Sequence, residues 1–215
     1  MSARLWAWLV FVGLFAAVNY ASNSLGTQPR GYEPLYHYAT AVGGAITYAI
    51  LLGIALAIAV GAELRELFAL KRPRTKWTWL GPIVLVVGVL ILSAILDPIL
   101  HPGKEQGLVP TRWQPSHAGA YAANAVVVVL VAPVVEELIF RGMGYSLLER
   151  YGRPLAVAVV GIAFGLAHGL VDALPLLVAL GAGLAWLRSK TGSVYPGMAT
   201  HAIFNGIAVL SIVVR

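Results

Sequence analysis

Three short groups of residues bring ionisable side chains into otherwise apolar stretches of the sequence. The groups are Glu136 and Glu137 with Arg141, Phe164 with His168, and His201 with Asn205. A charged side chain at the centre of a bilayer costs at least about 2.5 kcal/mol, so such residues are by default candidates for a function. Carboxylates and imidazoles can move protons, and imidazoles and amides can donate hydrogen bonds to an oxyanion. The three groups are therefore candidates for one catalytic site.

The two adjacent glutamates are expected to have different surroundings. Glu137 and Arg141 are four residues apart, which places their side chains on one helical face where they can neutralise each other. Glu136 is rotated by about 100° from Glu137 and needs another partner. A second acid beside a paired one costs stability without improving packing. We therefore interpret Glu137 and Arg141 as an ion pair that supports the site, and Glu136 as the catalytic candidate.

The two histidine groups belong to later helices. His201 and Asn205 are also four residues apart, so both point into the same space, where either can donate a hydrogen bond to a developing oxyanion. His168, one turn after Phe164, is placed to hold a water between itself and Glu136. A single histidine in a membrane helix often only links helices. Two histidines together with Glu136 favour a site instead.

The composition predicts that the helices carrying these groups lie in a membrane. Hydrophobic residues make up 59% of the chain and charged residues 11%, with a mean hydropathy of +0.81, whereas soluble domains carry about 25% charged residues. A crossing needs about 20 apolar residues, so 215 residues allow six to eight spans and no separate soluble domain. The chain has no cysteine, which excludes disulfides and thiolate metal sites.

The apolar runs predict an all-α, polytopic transmembrane helix bundle of about seven spans. The runs are Leu5–Ala21, Tyr38–Ala62, Leu80–Leu100, His117–Arg150, Pro154–Gly169, Leu174–Arg188 and Val194–Val214. We divide the chain into N-terminal transmembrane helices at 1–116, with about three spans, and a catalytic helical core at 117–215, with about four. Asn19 and Asn124 are expected to link neighbouring helices by hydrogen bonds.

The distribution of lysine and arginine predicts the orientation of the chain. Eleven of these residues fall in predicted inner segments and four in outer ones. The inner ones are Arg4, Arg65, Lys71, Arg72, Arg74, Lys76, Arg141, Arg150, Arg153, Arg188 and Lys190, and the outer ones are Arg30, Lys104, Arg112 and Arg215. Because cationic loops stay on the cytoplasmic side, we predict an integral protein of the cell's inner or plasma membrane with a cytoplasmic N-terminus. The positive charge does not form a patch typical of nucleic-acid binding.

Helical rise gives the depth of each group, and here the prediction is inconsistent. With 1.5 Å per residue from assumed entry points at Tyr121, Pro154 and Val194, His168 lies about 10 Å deeper than Glu136 and His201. Helix tilt or different helix boundaries would have to remove this difference.

The chain carries three motifs in order on successive helices: Glu-Glu-x-x-x-Arg, Phe-x-x-x-His and His-x-x-x-Asn. In this it resembles the CPBP family, which comprises CAAX proteases and bacteriocin-processing enzymes and is also called the Abi family. The resemblance extends over roughly Ala118–Arg215 and implies an intramembrane protease. It implies that Glu136 is the general base assisted by His168, that His201 and Asn205 stabilise the tetrahedral intermediate, and that Glu137, Arg141 and Phe164 support the site.

The resemblance also bears on cofactors and partners. Some members are described as metalloproteases, and Glu136, His168 and His201 are side chains that can bind zinc. We favour a glutamate-type enzyme without a cofactor, because Asn205 beside His201 suits an oxyanion donor better than a zinc ligand. The expected partners are the lipid bilayer and a membrane-associated protein or peptide substrate, cut near its C-terminus, and no nucleic acid.

Two other interpretations of the polar residues stay open. A transporter, or an immunity protein that binds a partner, could use the same polar cavity without catalysis. Transporters often contain inverted repeats with broken helices, and the two halves of this sequence contain no matching pair of interrupted helices. A catalytically inactive scaffold is the second alternative, and the complete set of Glu136, His168, His201 and Asn205 argues against it.

Overall fold

The structure, a computed structural model, describes residues 2–25, 33–73, 75–100, 110 and 112–211. Within these residues it contains eight helices and no strand, which confirms the predicted all-α bundle. The helices are α1 (Ala3–Leu25), α2 (Tyr38–Ile58), α3 (Leu64–Leu67), α4 (Trp77–Leu100), α5 (Pro115–Tyr151), α6 (Arg153–Ala167), α7 (Leu174–Thr191) and α8 (Tyr195–Leu210).

Each of the seven predicted spans corresponds to a helix. Among the described residues, α1, α2, α4 and α5 are long and apolar enough to cross a membrane, and α6 is a shorter apolar helix. The second predicted span ends earlier than expected, at Ile58. The short helix α3 was not predicted, and the last residues of the seventh span, 212–214, lie outside the described part of the chain.

The surface of the bundle is apolar where a lipid-facing helix requires it. On α1, the large side chains Trp6, Val10, Leu14 and Val18 are exposed at intervals of four residues, whereas Trp8 is fully buried. An exposed apolar stripe of this length is unfavourable in water and is solvated by lipid chains. Together with the long apolar helices, it identifies the chain as an integral membrane protein.

Helix α5 carries two π-helical segments that enclose the glutamates. The segments are Val127–Val131 and Leu138–Gly144, with α-helical Ala132–Glu137 between them. In the first segment the N–H of Ala132 donates to Val127 O, five residues back. The next bond of this series would join residue 133 to the carbonyl of residue 128, but Pro133 has no N–H. Irregular segments of this kind occur frequently at functional sites.

Glycines let α6 and α7 approach each other closely. A Cβ atom on Gly161 would lie 2.8 Å from the backbone nitrogen of Ala182, and one on Gly181 would lie 2.8 Å from the carbonyl oxygen of Gly161. Small residues at such positions permit the backbone contact that stabilises helix pairs in membranes. The backbones of α6 and α7 are therefore in close contact at Gly161 and Gly181.

The length of α5 removes the inconsistency in predicted depth. From Glu136 to the end of α5 at Tyr151 are 15 residues, and 15 more residues separate Arg153 from His168 after the turn at Gly152. Both stretches rise about 22 Å, so antiparallel α5 and α6 carry Glu136 and His168 at the same level. The inconsistency arose from measuring each helix from its own assumed entry point, whereas the turn at Gly152 lies at nearly equal distances along the chain from both residues.

We predict that Gly161→Ala destabilises the fold. The added methyl group would press on the Ala182 backbone, which cannot move without separating α6 from α7, and overpacking of this kind costs about 1–3 kcal/mol. The matched control is Gly88→Ala on α4, where an added Cβ would meet none of the described residues within 4 Å. Thermal unfolding in detergent should show a lower midpoint for Gly161→Ala and an unchanged midpoint for Gly88→Ala. Equal midpoints in the two variants would contradict the close packing of α6 and α7.

Candidate active site

A buried ion pair lies at the centre of the site. Arg141 Nη1 is 2.9 Å from Glu137 Oε1, and both side chains have 0% exposure. Arg141 Nη2 donates a hydrogen bond of 3.0 Å to Gly181 O on α7, and its guanidinium lies 4.1 Å from the centre of the Phe164 ring on α6. A single side chain thus connects α5, α6 and α7.

This position changes the charge count that predicts orientation. Arg141 was counted among the cations of inner segments, but it is enclosed in the bundle and paired with Glu137. Without it, ten cations fall in predicted inner segments against four in outer ones. The asymmetry, and the predicted orientation, are unchanged.

Helix α8 reaches the carboxylates because it carries a glycine at its point of closest approach. A Cβ atom on Gly197 would overlap Glu137 Oε2. One turn further along α8, His201 is 3% exposed, with Nδ1 3.4 Å from Glu137 Oε1 and Nε2 3.8 Å from Glu136 Oε2. The imidazole of His201 therefore lies between the two carboxylates.

Glu136 has the separate partner that its rotation from Glu137 required. Tyr48 on α2 donates its hydroxyl to Glu136 Oε1 at 2.7 Å. Among the described residues, no donor makes a hydrogen bond to the second oxygen, Oε2. Because Arg141 pairs with Glu137 instead, Glu136 has a neutral hydroxyl as its hydrogen-bond donor and keeps one oxygen for another group.

The aromatic ring of Phe164 orders the two imidazoles. Its centre lies 4.7 Å from that of His168 and 5.6 Å from that of His201, in both cases edge to face. The ring is fully buried under the guanidinium of Arg141. Phe164 thus separates the histidines and fixes the planes of their rings.

The tautomer of His168 follows from its hydrogen bond. Its Nδ1 lies 2.8 Å from Phe164 O, and a carbonyl oxygen can only accept. The proton of a neutral imidazole is therefore on Nδ1, which leaves Nε2 as an acceptor. An acceptor at this position can orient a water molecule beside a carboxylate.

Asn205 satisfies the carbonyl that Pro133 leaves without a partner. Its Nδ2 donates to Val128 O at 2.9 Å, which replaces the missing backbone bond of the π-helical segment. An amide nitrogen carries two hydrogens, so one N–H is used for the backbone and one remains. The bond fixes the direction of the amide group of Asn205.

The predicted residues converge on one cavity of about 320 Å³. Its lining includes Glu136, His168, His201 and Asn205, together with Tyr48. A second cavity of about 180 Å³ lies on the α1 side and shares Glu136, His168 and Tyr48 with the first. Both volumes far exceed the roughly 15 Å³ that one water requires.

Sequence reasoning missed the contributions of α1 and α2 to the site. Asn19, which was expected to link helices, donates to Ala167 O at 2.6 Å, and Asn23 donates to Gly169 O at 2.9 Å. These bonds hold both sides of the turn that carries His168. Tyr48 was also overlooked, although a tyrosine in the middle of a span is a signal, since tyrosine prefers the membrane interface.

The geometry does not favour a metal site. Among the residues that the structure describes, no three histidine or carboxylate side chains are arranged to hold a metal ion. Glu136, His168 and His201, the alternative zinc ligands suggested by the sequence, therefore do not fit zinc as they stand.

Residues 118–207 match a family model described as Type II CAAX prenyl endopeptidase Rce1-like. No curated protein and no solved structure matches the chain. The match confirms the resemblance to the CPBP family and supports a CAAX-protease-like enzyme. It includes all seven residues of the three motifs, whereas α1 to α4 lie outside it.

We predict that Arg141→Lys lowers both stability and activity. A lysine ammonium cannot at the same time pair with Glu137, donate to Gly181 O and stack on Phe164, because it lacks the planar fork of arginine. Thermal unfolding in detergent should show a clear loss, whereas Arg153→Lys, which alters an exposed pair with Glu149, should change little. Equal unfolding midpoints for the two variants would show that the buried contacts of Arg141 do not stabilise the fold.

Proposed function

We propose that this chain is a glutamate-type intramembrane endopeptidase that hydrolyses a peptide bond in a membrane-associated protein or peptide. The observation that carries the proposal is the convergence of Glu136, His168, His201 and Asn205 on one cavity. The cavity lies inside a bundle of apolar helices. Two proton-accepting side chains and two groups with N–H donors face it, as hydrolysis of an amide requires.

Glu136 acts as the base in this proposal. Its Oε2 takes a proton from a water molecule while the oxygen of that water bonds to the scissile carbonyl carbon, which becomes tetrahedral. When the carbon–nitrogen bond breaks, Glu136 returns the proton to the leaving amine, and the products are a carboxylic acid and an amine. Glu137 does not compete for this role, because Arg141 neutralises it at 2.9 Å.

His168 assists by orienting the water. Its Nδ1–H is held by Phe164 O, so Nε2 can accept one hydrogen of the water while Glu136 accepts the other. Both side chains lie at the same depth on antiparallel α5 and α6. Orientation of a water toward the carbonyl carbon reduces the entropy lost on the way to the transition state.

His201 and Asn205 stabilise the developing oxyanion. Among the described residues, Nδ1 of His201 makes no hydrogen bond, so the proton of a neutral imidazole can be on Nε2 and be donated from that side. The remaining N–H of Asn205 is fixed in direction by the bond from the same amide nitrogen to Val128 O. Donors held in place before the reaction stabilise the oxyanion without a reorganisation cost.

The substrate is an extended segment of a membrane-associated polypeptide, near its C-terminus. An extended segment is needed because the carbonyls of a helix are engaged in backbone hydrogen bonds and are shielded from attack. The matched family is described as a CAAX prenyl endopeptidase. A panel should therefore contain membrane-tethered peptides with and without a prenyl group at a C-terminal cysteine.

The test is cleavage of this panel by purified protein in detergent, with wild type compared with Glu136→Gln. The substitution preserves size and removes the base, so we expect kcat to fall by about 100-fold or more. Addition of a chelator should leave cleavage unchanged.

Each contrary outcome has a distinct meaning. Chelator-sensitive cleavage would replace the proposed mechanism with a metal-dependent one. Full activity of Glu136→Gln would show that another group activates water. A wild type that cleaves no peptide of the panel would favour a binding or transport role for the cavity.

A further inference from the structure

Tyr48 occupies an unusual place for a tyrosine in a membrane helix. It lies ten residues from each end of α2 (Tyr38–Ile58), so about 15 Å of helix separates its backbone from either end. Tyrosine prefers the membrane interface, where its hydroxyl meets water. At this depth the hydroxyl needs a partner within the protein, and the partner is Glu136 Oε1 at 2.7 Å.

We propose that Tyr48 is a positioning residue that holds the Glu136 carboxylate for catalysis, an inference that rests on the proposed function. The Tyr48 hydroxyl fixes Oε1 and thereby directs Oε2 toward His201. A glutamate side chain has three rotatable bonds, and without this bond the carboxylate would sample several orientations. A hydrogen bond from a hydroxyl to a carboxylate is short and stronger than one between neutral groups.

The neighbouring polar residue on α2 is exposed and satisfies its hydroxyl within its own helix. Thr47 donates its hydroxyl to Gly43 O of its own helix at 2.9 Å and makes no demand on another helix. Tyr48 instead reaches from α2 to α5 and lines both cavities beside Glu136. Its bond therefore ends on the reacting group.

Tyr48 lies outside residues 118–207, which match the family model. In the described structure, α2 thus supplies a contact to Glu136, and α1 holds the turn of His168 through Asn19 and Asn23. The N-terminal helices complete a site whose reacting groups lie on α5, on α8 and in the turn that follows α6.

The test measures kcat, KM and thermal unfolding of Tyr48→Phe in detergent. We expect kcat to fall about 10- to 100-fold, the range given by loss of one hydrogen bond to a charged group, while KM changes less than about twofold because substrate binding is not involved. Tyr121→Phe is the matched control. It removes the hydrogen bond that a buried tyrosine donates to Val209 O, neither residue lines the cavity, and the change should reduce stability but not kcat.

A readout independent of turnover accompanies the kinetics. The carboxylate stretching band of Glu136, isolated by infrared difference between wild type and Glu136→Gln, should shift in Tyr48→Phe and not in Tyr121→Phe. An unshifted band, or a kcat that stays at the wild-type value, would overturn the positioning role. The positioning role would also be overturned if kcat fell as much in Tyr121→Phe as in Tyr48→Phe, because the fall would then reflect lost stability alone. If Glu136→Gln is inactive while Tyr48→Phe is fully active, only this inference fails, whereas full activity of Glu136→Gln overturns the proposed function as well.

Discussion

The buried pair of Glu137 and Arg141 is the interaction on which the rest of the site depends. A guanidinium inside a membrane protein needs a compensating charge close by. Arg141 pairs with Glu137 on α5, donates a hydrogen bond to the Gly181 carbonyl on α7 and lies against the face of Phe164 on α6. Because each contact comes from a different helix, the charge of Arg141 fixes how these three helices pack.

The same pair separates two adjacent carboxylates into different roles. Arg141 neutralises Glu137, while Glu136, rotated around the helix, interacts with Tyr48 and the cavity. Gly197 then allows α8 to bring His201 against both carboxylates. The proposed base is therefore distinguished from its neighbour by the position of one cation, and not by its own chemistry. Gly197 therefore contributes to the geometry of the site as well as to the packing of α8 against α5.

The local part of this arrangement could be predicted from the sequence, and the tertiary part could not. Spacing of four residues correctly paired Glu137 with Arg141, and the rotation of Glu136 correctly required a different partner. The identity of that partner was not predictable, because Tyr48 is 88 residues away along the chain. The role of Asn205 at Val128 O was hidden for a similar reason: it follows from the π-helical segment that precedes Pro133. The depth of His168 was misjudged because each helix was measured from its own assumed entry point and not from the turn at Gly152 that joins α5 to α6. The predicted orientation of the N-terminus and the division at residue 116 stay predictions.

The central claim is that Glu137 and Arg141 hold the site by mutual neutralisation while Glu136 carries the chemistry. The most direct test compares Glu137→Gln, Arg141→Met and the double variant for unfolding in detergent and for peptide cleavage. Each single variant leaves one buried charge unpaired, so each should lose about 3–5 kcal/mol, whereas the double variant should recover most of this loss. The account predicts that the folded double variant cleaves well above the level of Glu136→Gln. A double variant as stable as wild type but no more active than Glu136→Gln would contradict the account, because Glu137 or Arg141 would then take part in the reaction itself.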